Sequence, residues 1–383
     1  MKKISFFNYQ YFQEKFGNQL NAIFNDVLSR GAFILQRDLE EFEEKIAEYL
    51  SVKHAIGVGN CTDGLQLALI AAGIQAGDEV ILPSHTFIAT AGAIHSVGAI
   101  PVPIECGVDH LMNPCDIQRN ISLKTKAIVP VQLNGRTCDM QKIKEIADNN
   151  KLLIIEDAAQ SLGSMFNGIH AGTFGLAAAF SFYPAKVLPC LGDGGCVVTN
   201  DDSIAEEIHF LRNHGRRADG SVAKWGLNSR LDNLQAAFLS FFLSIYDEEV
   251  IQKRRRLAAV YQERLNDIPN ILLPPAPTNG KHFDIFQNYE VEFDYRDELE
   301  SFLSKNGIGT LKQWGGQAVH QWPALNFEID LPHTEQVMAK SLLLPMNISL
   351  SENDISYVCD LIEKFYDKVD LKYHSAASLI DGD

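Results

Sequence analysis

Two side chains in this sequence have the types and the setting to do chemistry together. Lys186 ends the segment Ser181-Phe182-Tyr183-Pro184-Ala185-Lys186, directly after the small apolar run Leu176 to Phe180, which reads as a buried strand. Asp157 follows a second apolar run, Leu152 to Ile155, in the segment Glu156-Asp157-Ala158-Ala159-Gln160. Both therefore fall at the carboxyl ends of strands, where open α/β sheets hold their ligands. An amine able to form a Schiff base, with an acid able to keep a pyridine nitrogen protonated, is the pair that pyridoxal phosphate chemistry requires. Either residue alone means little, since most lysines are surface charges and many strand-end aspartates cap helices.

Other residues group around this pair. Gly57-Val58-Gly59-Asn60-Cys61-Thr62-Asp63-Gly64 passes from strand through a glycine-bearing turn to a helix start, a setting that favours a bound phosphate. Thr62 and Asp63 would either serve that phosphate or simply cap the helix. Ser181, at its strand end, is a further phosphate donor, and Gln160 is placed to reach a ring hydroxyl or to brace Asp157. Glu156 is the rival acid, but alternation along the strand turns it to the opposite face. Phe87, in Ser84-His85-Thr86-Phe87, is a flat aromatic that could stack on a ring or be core, and His85 is an acid/base or substrate candidate or a solvated loop residue. Gly192-Asp193-Gly194-Gly195 marks a tight turn where glycine allows positive φ and close backbone approach.

The elements that must position these groups follow from the apolar pattern. Runs at 55–58, 79–82, 100–104, 127–131 and 152–155 alternate with helical patterns at 62–72, 86–96 and 139–149. That alternation predicts an α/β fold with a mostly parallel central sheet flanked by helices. Asp38 reads as the N-cap of a helix through Leu50. After Arg230 come an apolar helix, 231–243, and a charged one, 248–265, whose Lys253-Arg254-Arg255-Arg256 run reads as a solvated face or a subunit contact. We expect a large domain over 1–245, a smaller C-terminal α+β domain over 246–371, and a disordered tail over 372–383.

With 383 residues, 46% hydrophobic and 21% charged, the chain has the composition of a globular enzyme. A net charge of −16 argues against a nucleic-acid surface. The seven cysteines lack disulfide or zinc spacing, no apolar run suits a membrane span, and no signal peptide is read, so a cytoplasmic protein without a metal is expected.

Assembled, the motifs Glu156-Asp157-Ala158-Ala159-Gln160, Ser181–Lys186 with Gly192-Asp193-Gly194-Gly195, and Asn228-Ser229-Arg230-Leu231-Asp232 resemble those of the DegT/DnrJ/EryC1/StrS sugar aminotransferases, over roughly residues 30 to 365. The resemblance implies the type I fold of pyridoxal phosphate enzymes. It implies that Lys186 forms the Schiff base and shuttles a proton, that Asp157 pairs with the pyridinium, and that Phe87 stacks on the ring. Thr62, Asp63 and Ser181 would hold the phosphate, joined by Asn228 of the partner subunit, so a homodimer with shared sites is implied. The reaction implied is amino transfer, usually from glutamate through pyridoxamine phosphate, to a keto-sugar carried on a nucleoside diphosphate. Pro184 leans the reading towards the C3 carbonyl over C4.

Two segments depart from the family pattern: Gln132-Leu133-Asn134-Gly135-Arg136, and Leu311 to His320. By analogy both would line the sugar pocket, which makes Arg136, Trp314 and His320 substrate candidates. Arg216 and Lys224 are candidate diphosphate contacts, or charges on a solvated loop. The competing classes are another enzyme on the same fold, such as a lyase or desulfurase, and a non-enzymatic regulatory module.

Overall fold

The computed structural model describes residues 2–217 and 219–377, with side chains described to residue 369. Short apolar runs bounded by turn residues form the strands. β1 (His54–Val58), β2 (Glu79–Pro83), β3 (Ile100–Ile104), β4 (Thr125–Ile128), β5 (Leu153–Asp157), β8 (Ala177–Ser181) and β9 (Gly195–Thr199) make a seven-stranded sheet of order β1-β9-β8-β5-β4-β2-β3. β9 runs antiparallel to both its neighbours, and the other pairings are parallel. Asp157 pairs with Ala179, so the carboxyl ends of β5 and β8 lie side by side.

Around this sheet run α1 (Tyr11–Arg30), α2 (Arg37–Leu50), α3 (Cys61–Ala71), α4 (Ile88–Ser96), α5 (Pro114–Arg119), α6 (Met140–Asn150), α7 (Asp202–Leu211) and α8 (Asn233–Ser244). α3 packs closely over the sheet because its Gly64 faces small residues. A Cβ there would sit 3.2 Å from Ala179 Cβ and 3.2 Å from Val197 Cγ2, tight contacts that a side chain would strain. That approach brings the start of α3 over the ends of β8 and β9. Gly195 is needed for the same reason: a Cβ would lie 2.5 Å from the Asn60 carbonyl carbon. It is close approach, not positive φ, that requires this glycine.

After α9 (Gln252–Leu265), β10 (Ile271–Leu272), β12 (Tyr289–Phe293) and β13 (Ser341–Leu344) form an antiparallel three-stranded sheet. α10 (Arg296–Lys305), α11 (Pro332–Lys340) and α12 (Glu352–Ala377) accompany it. Tyr261 and Tyr289 stack in its core with ring centroids 4.7 Å apart. β6 (Met165–Phe166), β7 (Ile169–His170) and β11 (His282–Phe283) make a small third sheet. The tail expected from residue 372 begins inside α12, whose backbone continues to Ala377; residues 378–383 lie outside the described residues. Among the described residues no helix is long and apolar enough to cross a membrane.

Three local expectations are corrected. Asp38 is not an N-cap: α2 begins at Arg37, and the carboxylate instead accepts from Arg30 through two bonds of 2.9 Å and from Asn233 Nδ2 at 2.7 Å. β4 ends at Ile128, short of Pro130, which has no N–H to donate, and Val131 then makes an isolated parallel bridge to Asp157. The basic run of α9 is solvated only in part: Arg256 is exposed, but Arg254 and Arg255 are buried. Arg254 donates to the carbonyls of Phe286, Gln287 and Met346, and Arg255 to those of Asp284 and Thr278, so both are buried as caps for loop carbonyls.

Candidate active site

A cavity of about 760 Å³ opens at the carboxyl ends of β5 and β8 and the start of α3. Lys186, half-buried, lies in its wall together with Asp157. Burial lowers the Lys186 amine below its ordinary range, against the opposing pull of Cys61 and Asp157. Burial also raises the Asp157 carboxyl, against the Thr90 hydroxyl, the Ala159 N–H and Lys186. Asp157 Oδ2 accepts from Thr90 Oγ1 at 2.7 Å and Oδ1 from the Ala159 N–H at 3.1 Å, which fixes its rotamer.

The cavity is also lined by Thr62, Asp63, Phe87, Gln160 and Ser181. Thr62 and Asp63 belong to the first turn of α3, but neither caps it. Asn60 is the N-cap, its Oδ1 accepting from the Asp63 N–H at 2.8 Å, which leaves the Thr62 hydroxyl exposed at the helix start. Phe87 precedes α4 and is 53% exposed, a ring face uncovered by core. Gln160 Oε1 accepts from the Asn134 N–H at 2.8 Å, so its amide is oriented from behind. An amine, an anchored carboxylate, an exposed aromatic face and hydroxyls at a helix N-terminus are the donor set that suits a phosphorylated pyridine aldehyde.

Glu156 points the other way, as alternation predicts. Its Oε1 accepts from the Phe174 and Gly175 N–H groups at 2.7 and 2.9 Å, and its Oε2 from Gln132 Nε2 and the Gly172 N–H at 2.7 and 2.8 Å. A glutamine there must face its NH2 towards two donors in either orientation. We therefore expect Glu156→Gln to lower stability by about 1–3 kcal/mol in urea titration, with turnover changed only slightly. Lost turnover at unchanged stability would make Glu156 the functional acid.

The remaining candidates are placed elsewhere. Trp314 lines the cavity, in a left-handed conformation at φ 49. His85 is not a solvated loop residue: it is fully buried behind Trp314, with ring centroids 5.3 Å apart. Arg136 pairs with the buried Asp284 beside a separate small cavity. His320 is held between Ser84 Oγ at 2.6 Å and Glu335 Oε1 at 3.1 Å. Asn228, Arg216 and Lys224 are exposed and do not line this cavity, and Lys224 contacts Glu207 at 2.6 Å. Leu311 and Gln313, from the segment expected at the sugar pocket, also line it, as do Phe6 and Phe7, which the sequence reading did not single out. Thr90 was also missed: it lies in the first turn of α4, its hydroxyl 2.7 Å from that of Thr86, which precedes the helix.

Residues 14–363 match the model of the DegT/DnrJ/EryC1/StrS aminotransferase family. The chain is 39% identical to the dTDP-3-amino-3,4,6-trideoxy-alpha-D-glucose transaminase of Streptomyces venezuelae, over 96% of this chain and 97% of that protein. It is 37% identical to a pleiotropic regulatory protein of Geobacillus stearothermophilus, over 92% and 96% respectively. The solved structure of S. venezuelae DesV is similar with a TM-score of 0.91 at 38% identity, covering 95% of this chain and 99% of that one.

Proposed function

The chain belongs to the DegT/DnrJ/EryC1/StrS aminotransferase family, a family of pyridoxal phosphate enzymes, and on that premise we propose that it moves an amino group from glutamate to the C3 carbonyl of a nucleoside-diphosphate keto-sugar. The observation that carries the reading is that Lys186 and Asp157 line one cavity with the hydroxyl-bearing start of α3. The 3-amino sugar in the name of the S. venezuelae relative supports the choice of C3.

When bound, pyridoxal phosphate supplies an aldehyde that condenses with amines and a ring that accepts electrons. Lys186 and Asp157 would hold its two reactive ends. Burial keeps a fraction of Lys186 as the free amine, able to bond to the aldehyde carbon and later to carry a proton at Nζ. Asp157, its rotamer held by Thr90 and the Ala159 N–H, would keep a proton on the ring nitrogen. Thr62 and Ser181 would donate to the phosphate at the helix start. Phe87 would cover one ring face and Gln160 would meet the ring's polar edge. Trp314 and Gln313 would shape the sugar end, where they also limit access of water.

A second copy of the chain would complete this site. Phe7, Tyr9, Phe24, Leu28, Phe33 and Leu191 are exposed large apolar side chains, several of them around a further cavity of about 620 Å³ that shares Lys186. An apolar surface of this kind, continuous with the site, suits a homodimer contact. It would bring Asn228, Arg216 and Lys224 of the partner subunit towards phosphate groups.

The test is spectroscopic. Glutamate added to the holoenzyme should remove the visible absorbance of the lysine-bound cofactor, and a 3-keto-sugar nucleotide should restore it. Restoration by 4-keto sugars alone would move the assignment to C4. A spectrum indifferent to glutamate would remove it as donor.

A further inference from the structure

Behind Trp314 in the cavity wall, three side chains that amino transfer does not use converge. They are His85 from the turn after β2, His110 from the loop after β3, and Glu290 from β12. One ligand-type atom from each lies within 4.8 Å of the others. Nδ1 of His85 donates to the His110 carbonyl at 3.0 Å, which turns Nε2 towards Glu290. That Nε2 lies 3.2 Å from Glu290 Oε1, yet both atoms are fully buried and neither has a hydrogen-bond partner. A ring nitrogen and a carboxylate oxygen buried face to face need a positive charge between them, a ring proton or a metal ion.

The second imidazole fits the same centre. His110 Nε2 lies 3.0 Å from Glu292 Oε1, while Nδ1 lies 2.9 Å from Glu290 Oε2. His110 is held at φ 64, an uncommon conformation for a residue with a side chain, and such conformations gather at functional sites. Asn134 Nδ2 donates to Glu290 Oε2 at 2.8 Å.

We propose that this cluster binds a divalent transition-metal ion of the zinc class through His85 Nε2, His110 Nδ1 and the Glu290 carboxylate. Two imidazoles and one carboxylate are a ligand set that zinc accepts with a fourth position left to water. The other nitrogen of each ring is anchored, one by a backbone carbonyl and one by a carboxylate, as ligand histidines usually are. A small cavity of about 50 Å³ beside His110, Asn134, Asn288 and Glu290 has room for the water. The ion's two positive charges balance Glu290 and Glu292. It ties the turn after β2 and the loop after β3 to β12, and so steadies Trp314 and the Asn134–Gln160 contact from outside the reacting atoms. The inference stands independently of which sugar is aminated.

The test uses tag-free holoenzyme purified without chelator. Elemental analysis should find one equivalent of zinc-class metal per chain. After stripping with dipicolinate, Co2+ should bind saturably with visible ligand-field bands and raise the melting temperature. His110→Ala and Glu290→Gln should abolish those bands. Glu292→Gln keeps all three ligands and should weaken Co2+ binding by about 10–100-fold, a measurement that does not depend on the harsher variants folding. If stripped wild type takes up no stoichiometric Co2+, or if Glu292→Gln and His110→Ala bind it as tightly as wild type, the proposal is overturned.

Discussion

Lys186→Ala is expected to lower turnover by on the order of 10⁴-fold or more, since one amine would serve both as nucleophile and as proton carrier. The variant should stay folded, because the only hydrogen bond Lys186 makes among the described residues is from its backbone N–H to the Tyr183 carbonyl at 2.8 Å, which alanine keeps. It should still hold the cofactor without a covalent link. Borohydride treatment followed by peptide mapping should fix the cofactor to the Lys186 peptide in the parent and to no peptide in the variant. A parent protein that cannot be fixed in this way would remove the assignment. The pH dependence of cofactor capture checks the cause. Burial lowers the amine's pKa, so the free-amine fraction, and with it the capture rate, should rise with pH through an inflection below that of an ordinary lysine. Below that inflection the ammonium form dominates and capture should fall tenfold per pH unit.

Asp157→Asn is expected to cost about 10²–10³-fold in turnover, the range found when one preorganised electrostatic contact is removed. An asparagine has nearly the same shape and can still accept from Thr90, so cofactor affinity should change far less than kcat. The neighbouring amine offers a second readout. Asp157 is one of the groups that favour the charged form of Lys186, so removing its charge should shift the capture inflection to lower pH. An unchanged kcat would mean that another acid serves the ring, and an unchanged inflection would mean that the two groups do not sense each other. Thr90→Val should resemble a weaker form of this variant, because it frees the Asp157 rotamer without removing the charge.

The contrast between Glu156 and Asp157 shows what sequence can resolve. Adjacent residues at a strand end point to opposite faces, so one acid enters the cavity and the other is consumed by backbone donors. The same local logic placed Thr62 and Ser181 beside the cavity, because strand–turn–helix junctions are built from neighbouring residues. It failed for the Arg254–Arg255 pair. A run of four basic residues looks solvated, and only the return of loops 29 and 92 residues away supplies the carbonyls that bury this pair.

Reading along the chain was enough to give the strand–helix alternation, to put Asp157 at the end of β5 and Lys186 in the loop after β8, and to mark the turn that starts α3. Each depends on contacts within a few residues or on apolar periodicity, which are written along the chain. Tertiary structure alone decided that His85 is buried, that Arg136 is paired with Asp284, that His320 is held by Ser84 and Glu335, and that His85, His110 and Glu290 meet. These partners are separated by 15 to 236 residues. No local pattern encodes them, because a polar side chain's fate depends on which distant donor or acceptor the packed sheets bring within 3 Å.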